Sequence, residues 1–283
     1  MTKFSEFFHV NQKNYFDVTL ENDQTYFVDP VQIKGAKIEN FNSTDAEASI
    51  KSFMNTAYDV VADRKSPETQ NLLAPPHEIN ETRLGLTKRG SKGRGTSASI
   101  LINVFSRIRG VPELKKSVLS NSQVLSLLTP SFGPDRFSDL ITNIISYQLA
   151  DFTSLTCKNI GMKDEYLCES QINGYNVEKQ EWEPKTVILP RANDKGVILV
   201  PDIMVTKSYP YSVTKYIAQE ILPAEQQKYM DKGENIKRKD LRARLLEAYD
   251  KDKEKSLAIN YSLGHPDALI HYLSYNQKTA KKS

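Results

Sequence analysis

The segment that begins Gly133-Pro134-Asp135-Arg136 constrains the fold more than any other, because it marks where a long helix starts and how that helix faces. Proline is tolerated in a first helical turn, where its missing N–H costs no bond, and an aspartate beside it complements the helix dipole. At about 100° per residue, Phe137, Leu140, Ile141, Ile144, Ile145, Gln148 and Phe152 share one broad side of a helix reaching about Cys157. Asp135, Asp139, Thr142, Asn143 and Ser146 gather on the other side. One face is expected to bury and the opposite face to be polar.

Around this helix the chain reads as α+β, a predominantly helical core with an N-terminal β-hairpin and a second short hairpin near 186–201. The first hairpin is expected from Tyr15–Leu20 and Gln24–Pro30, two β-prone runs separated by the polar break Glu21-Asn22-Asp23. Thr44-Asp45-Ala46-Glu47 has the form of a capping box, and Ile50, Phe53, Met54, Ala57, Val60 and Val61 follow at helical spacing. Thr186–Leu189 and Gly196–Val200 flank a turn-rich stretch, and their aliphatic character predicts burial on both faces. From about Ala224 the composition turns charged, so the expected division is a main domain over 1–223 and a charged helical subdomain or arm over 224–283. With 39% hydrophobic residues in 283, the chain can bury a sizeable core.

Several classes are excluded on composition. No apolar run approaches the roughly 20 residues needed to cross a bilayer, so no membrane insertion is expected. The first residues lack the apolar stretch of a signal peptide, which makes the cytoplasm the expected location. Cys157 and Cys168 stand in no metal-ligand spacing and read as buried thiols. The histidines at 9, 77, 265 and 271 are scattered, and no GxSxG occurs. A formal charge of +3 is too near balance to imply nucleic acid, so only local clustering can argue for it.

Such a cluster exists. Arg83 to Gly95 holds four glycines and five basic residues in thirteen and precedes a helix. Lys88, Arg89, Lys92 and Arg94 in it are candidate phosphate contacts, since flexible cations attract any phosphodiester backbone and glycine lets the chain follow it. Thr96 stands where a Walker A lysine would be required, and the readings left open are a nucleic-acid contact, a nucleotide cradle and a solvated loop.

The second candidate is the polar side of the long helix. Asp135 and Asp139, four residues apart, stack one above the other, where they can share a hard cation such as Mg²⁺. Arg136 beside them can steady an anionic substrate, so Asp135, Arg136 and Asp139 are the candidate catalytic residues and Asp135 and Asp139 the candidate metal ligands. The bland reading is ordinary helix-start chemistry. Asp29, at the end of a predicted strand, is a further carboxylate to place, although Asp-Pro also opens turns. A PD-(D/E)xK arrangement with a nearby lysine is not evident.

Tyr26-Phe27-Val28-Asp29-Pro30, the glycine- and serine-rich loop, Gly133-Pro134-Asp135-Arg136-Phe137-Ser138-Asp139-Leu140-Ile141-Thr142-Asn143-Ile144-Ile145 and the ending Leu199-Val200-Pro201 together resemble a family of uncharacterised bacterial proteins. Its members lie among restriction and phage-defence genes. The resemblance covers roughly residues 1–220, and where the family usually reads Val-Pro-Lys this chain has Pro201-Asp202. It implies a bacterial antiphage-defence setting with a protein partner from a defence operon, and it supplies no reaction; the basic loop and the Asp135, Arg136 and Asp139 face add the expectation of binding or processing DNA or RNA, with a metal-dependent nuclease or phosphodiesterase as the enzymatic form. The alternative is a non-enzymatic sensor or adaptor subunit that recognises a protein partner in a defence complex, with the charged region from Ala224 onward as its docking element.

Overall fold

The computed structural model describes residues 1–11, 14–76, 79–85 and 97–280. In chain order its helices include α1 (Phe4–Phe7), α2 (Ser43–Val60), α3 (Pro67–Leu72), α4 (Ala98–Ile108), α5 (Pro112–Ser120), α6 (Val124–Leu128), α7 (Pro134–Ile144) and α8 (Ser146–Asn159). They continue with α9 (Val213–Tyr216), α10 (Leu222–Met230), α11 (Arg238–Glu247), α12 (Lys253–Gly264) and α13 (Pro266–Ala280). The strands are β1 (Phe27–Val28), β2 (Leu167–Asn176), β3 (Glu181–Ala192), β4 (Lys195–Gly196) and β5 (Val205–Thr206). The α+β class holds. Contacts divide the chain into two compact units, Met1–Leu101 with Pro134–Ser208 and Ile102–Gly133 with Tyr209–Ser283. Residue 224, where the composition changes, lies inside α10 and within the second unit.

In the first unit, α2 begins ahead of the expected cap at Thr44: Asn42 supplies the side-chain oxygen that accepts the Asp45 N–H at 3.1 Å. Asparagine is as good a cap as threonine, and it satisfies an amide that the first turn leaves orphaned. The helix buries Ala46, Phe53, Met54, Ala57 and Tyr58. Against it lies the antiparallel hairpin of β2 and β3, paired from Leu167 with Pro190 to Asn176 with Glu181. Tyr175 and Trp182 face each other in that register, and their rings meet Phe53 at 5.4 and 5.5 Å between centroids. The Trp182 indole N–H donates to the Leu72 carbonyl at 2.8 Å. This long hairpin precedes the one expected near 186–201, which is itself present in short form: β3 returns as β4 through Asn193 and Asp194, both left-handed at φ 50° and 62°. Two such residues make the primed turn that suits the twist of a tight hairpin.

The helix expected from 134 to 157 is two helices. Ile145, at φ −101° and ψ 17°, interrupts it between α7 and α8. The interruption coincides with a close approach of β2, where the Ser146 hydroxyl donates to the Asn173 carbonyl at 2.9 Å. The N-terminal extended segments pair with one another and with chain from far along the sequence. Lys3 bridges Thr19, Tyr15 bridges Pro201, and β1 pairs antiparallel with β5. Val197, Ile198, Leu199 and Val200 are fully buried, as their aliphatic run predicts. The Leu199 N–H donates to the Thr153 hydroxyl at 2.9 Å.

The secondary-structure elements among the second unit's described residues are all helices. Tyr216 and Tyr272 pack at 5.2 Å between ring centroids in its core, and the Tyr216 hydroxyl lies 2.9 Å from that of Ser262. A π-helical turn at Ile217–Ile221 joins α9 to α10 just before Pro223, whose ring and missing N–H disfavour a regular i to i−4 ladder there. No helix among the described residues is long and apolar enough to cross a membrane.

Candidate functional site

The first unit gathers opposite charges at the start of α7. Gln24 and Leu84 form a parallel bridge, in which the Gln24 N–H donates to the Arg83 carbonyl at 2.9 Å and the Gly85 N–H donates to the Gln24 carbonyl at 3.0 Å. These two bonds fix Asp23 beside Arg83, Leu84 and Gly85. Burial raises the Asp23 carboxyl above its ordinary range; the charges of Arg83 and Lys195 pull it down, and that of Asp135 pushes it further up. Asp23, Arg83, Asp135 and Lys195 therefore share one electrostatic neighbourhood.

Arg83 is the least ordinary member. Its side chain is 7% exposed, its backbone is left-handed at φ 56° and ψ 25°, and it closes the short helical turn Asn80–Thr82. Its Nε finds no acceptor among the described residues. Asp135, Arg136 and Asp139 are each half-buried, and each is engaged by neighbouring groups. Lys88, Arg89, Lys92 and Arg94 lie outside the described residues.

The polar stripe continues along α7, and beyond its first turn and a half it is buried. Thr142, Asn143 and Ser146 are 5%, 2% and 0% exposed, because β1, β2 and α2 close over both sides of the helix. Ser138 accepts the Val28 N–H at 2.9 Å, and Asn143 turns its amide to the Asp139 carbonyl at 2.8 Å. The buried hydroxyls of Ser138 and Ser146 pin strands to these helices, and the accessible part of the stripe is the first turn and a half. Asp29 is buried and caps its own turn by accepting the Val31 N–H at 2.9 Å.

The thiols follow the reading of them as structural only in part. Cys157 is buried and its thiol is pushed up to about 12, whereas Cys168 is half-buried beside Ser170. Among the described residues no three or more His, Cys, Asp or Glu side chains gather in a way that could hold a metal ion. Mg²⁺ asks less of a protein, commonly one or two carboxylates, with water and substrate phosphate completing its shell. Asp23 and Asp135 are the two carboxylates that feel one another's charge in this neighbourhood.

A half-exposed aromatic pair lies on the same stretch of chain as Asp23. Phe16 and Tyr26 meet at 4.7 Å between centroids, and the Lys207 ammonium sits 5.6 Å from the Tyr26 ring centre.

The fold and this site define an α+β protein with a mixed acid and base cluster at a helix start, beside the residues that precede the basic glycine-rich segment of the sequence. Residues 8–212 match the family model described as Domain of unknown function (DUF8370), and the chain belongs to that family. No curated protein and no solved structure matches the chain.

Proposed function

We propose that this protein is a bacterial antiphage-defence component that binds nucleic-acid phosphates and cleaves the phosphodiester backbone with the help of Mg²⁺. The observation that carries this reading is the convergence of Asp23, Asp135, Arg83 and Lys195 where the chain enters the basic glycine loop. Two carboxylates suit a hard cation, and the neighbouring cations suit the charge on a phosphate. Bound there, Mg²⁺ would acidify a water molecule and neutralise phosphate charge. Asp23 and Asp135 would hold it, with Asp139 one turn behind, while Arg136 and Lys195 would orient the phosphate. Lys88, Arg89, Lys92 and Arg94 would track the backbone on either side. Phe16 and Tyr26, with Lys207 over the ring, offer a surface on which an unpaired base can stack.

The test is the salt dependence of oligonucleotide binding by the full chain. Neutralising Lys88, Arg89, Lys92 and Arg94 together should weaken binding and reduce the slope of log affinity against log salt by about 3 for a single strand. An unchanged slope would remove the loop from the site.

A further inference from the structure

We infer that Arg83 is a phosphate-binding residue, the fixed floor of an anion subsite flanked by Asp23 and Lys195. The inference deepens the reading above and rests on it for the source of the phosphate, a nucleic-acid strand.

The argument starts from the backbone. A non-glycine residue in the left-handed region is strained, and Arg83 occupies it at φ 56°. Two bonds hold it there: its N–H donates to the Asn80 carbonyl at 3.3 Å, and its carbonyl accepts the Gln24 N–H at 2.9 Å. Glycine would relieve the strain and supply the same two bonds. The side chain is therefore the part that needs a reason.

That side chain is more than nine-tenths buried, and its Nε–H points at no acceptor among the described residues. A guanidinium carries five N–H donors in a planar fork and does not shed its proton, so burial leaves it needing oxygen acceptors. Asp23 lies within electrostatic reach of the guanidinium but acts on it through charge alone, and it leaves the Nε–H without an acceptor. A ligand that brings several oxygens and negative charge would satisfy the fork, and phosphate does so with bidentate geometry. Lys195, in β4, supplies a second cation to the same neighbourhood.

The experiment uses the full chain with pyrophosphate and with a single-stranded oligonucleotide as separate probes. Thermal melts in pyrophosphate should show stabilisation of the wild type, loss of that shift in Arg83→Gln, and partial recovery in Arg83→Lys, which keeps the charge but not the fork. Oligonucleotide affinity should fall about tenfold or more in Arg83→Gln, and the salt slope should fall by about 0.7. A pyrophosphate shift absent from the wild type, or undiminished in Arg83→Gln, overturns the subsite. If Arg83→Gln does not fold, Arg83→Lys decides: a wild-type response in both probes overturns the inference, and a weakened one supports it. An Arg83-dependent pyrophosphate shift without oligonucleotide binding would keep the subsite and sink the nucleic-acid reading. Oligonucleotide binding indifferent to Arg83 would do the reverse.

Discussion

Gly174 and Ser146 stand so close that a Cβ added to the glycine would lie 2.4 Å from the serine hydroxyl oxygen. This contact brings β2 onto the junction of α7 and α8, where Ser146 donates to the neighbouring Asn173 carbonyl. Tyr147 crowds the same spot, with ring carbons 2.6 and 2.8 Å from the added atom.

Gly174→Ala should therefore cost about 1–3 kcal/mol, as overpacking of a filled interior does. Gly110→Ala, where an added Cβ meets nothing within 4 Å, provides the comparison. Urea unfolding of both variants measures the difference, and equal midpoints would mean that the junction yields easily.

Truncation after residue 223 should fail to leave a soluble main domain. In the second unit α12 packs on α6 and α13 on α5. Removing them would bare Leu114, Val118, Val124, Leu125 and Leu128, all now buried. Size-exclusion chromatography should show aggregation of the 1–223 fragment, and a monodisperse fragment would contradict the interleaved arrangement.

Asp23 should make the protein less stable as pH rises. Its folded carboxyl is raised above the ordinary value of 3.8, chiefly by burial, so the folded state holds the proton more tightly than the unfolded state does. The stabilisation is fully present below the unfolded value and is lost as pH climbs through the folded one. Asp23→Asn should accordingly raise the melting temperature more at pH 7 than at pH 4. An equal gain at both values would show that Asp23 does not titrate as an unfavourably buried acid.

The start of α7 was legible because a helix N-terminus is written locally, in Pro134 and Asp135. So was the buried aliphatic run at 197–200. The β2–β3 hairpin was not, since Glu169, Ser170, Gln171 and Asn173 give the strand a polar surface, and its anchors, Tyr175 and Trp182, find Phe53 more than a hundred residues away. The same distance in sequence hid most of the site. Asp23 read as a polar break and Lys195 as turn chemistry; the Gln24–Leu84 bridge sets Asp23 beside Arg83, and the Ile198 N–H bond to the Glu81 carbonyl brings the chain after β4 to the same turn. That the polar side of α7 is itself covered was hidden for a related reason: Asn143 and Ser146 turn their side chains to neighbouring backbone, and Thr142 lies within the packed interior.

The central claim is that Asp23 and Asp135 form one working carboxylate pair at a phosphate-binding centre. The most direct measurement is Mg²⁺-dependent cleavage of end-labelled single-stranded and duplex oligonucleotides by the full chain, wild type against Asp23→Asn, Asp135→Asn and the double variant. The account predicts cleavage by the wild type and a loss of about a hundredfold or more in each single variant, with little further loss in the double. Cleavage by the double variant at the wild-type rate, or none by the wild type on either substrate, would contradict it.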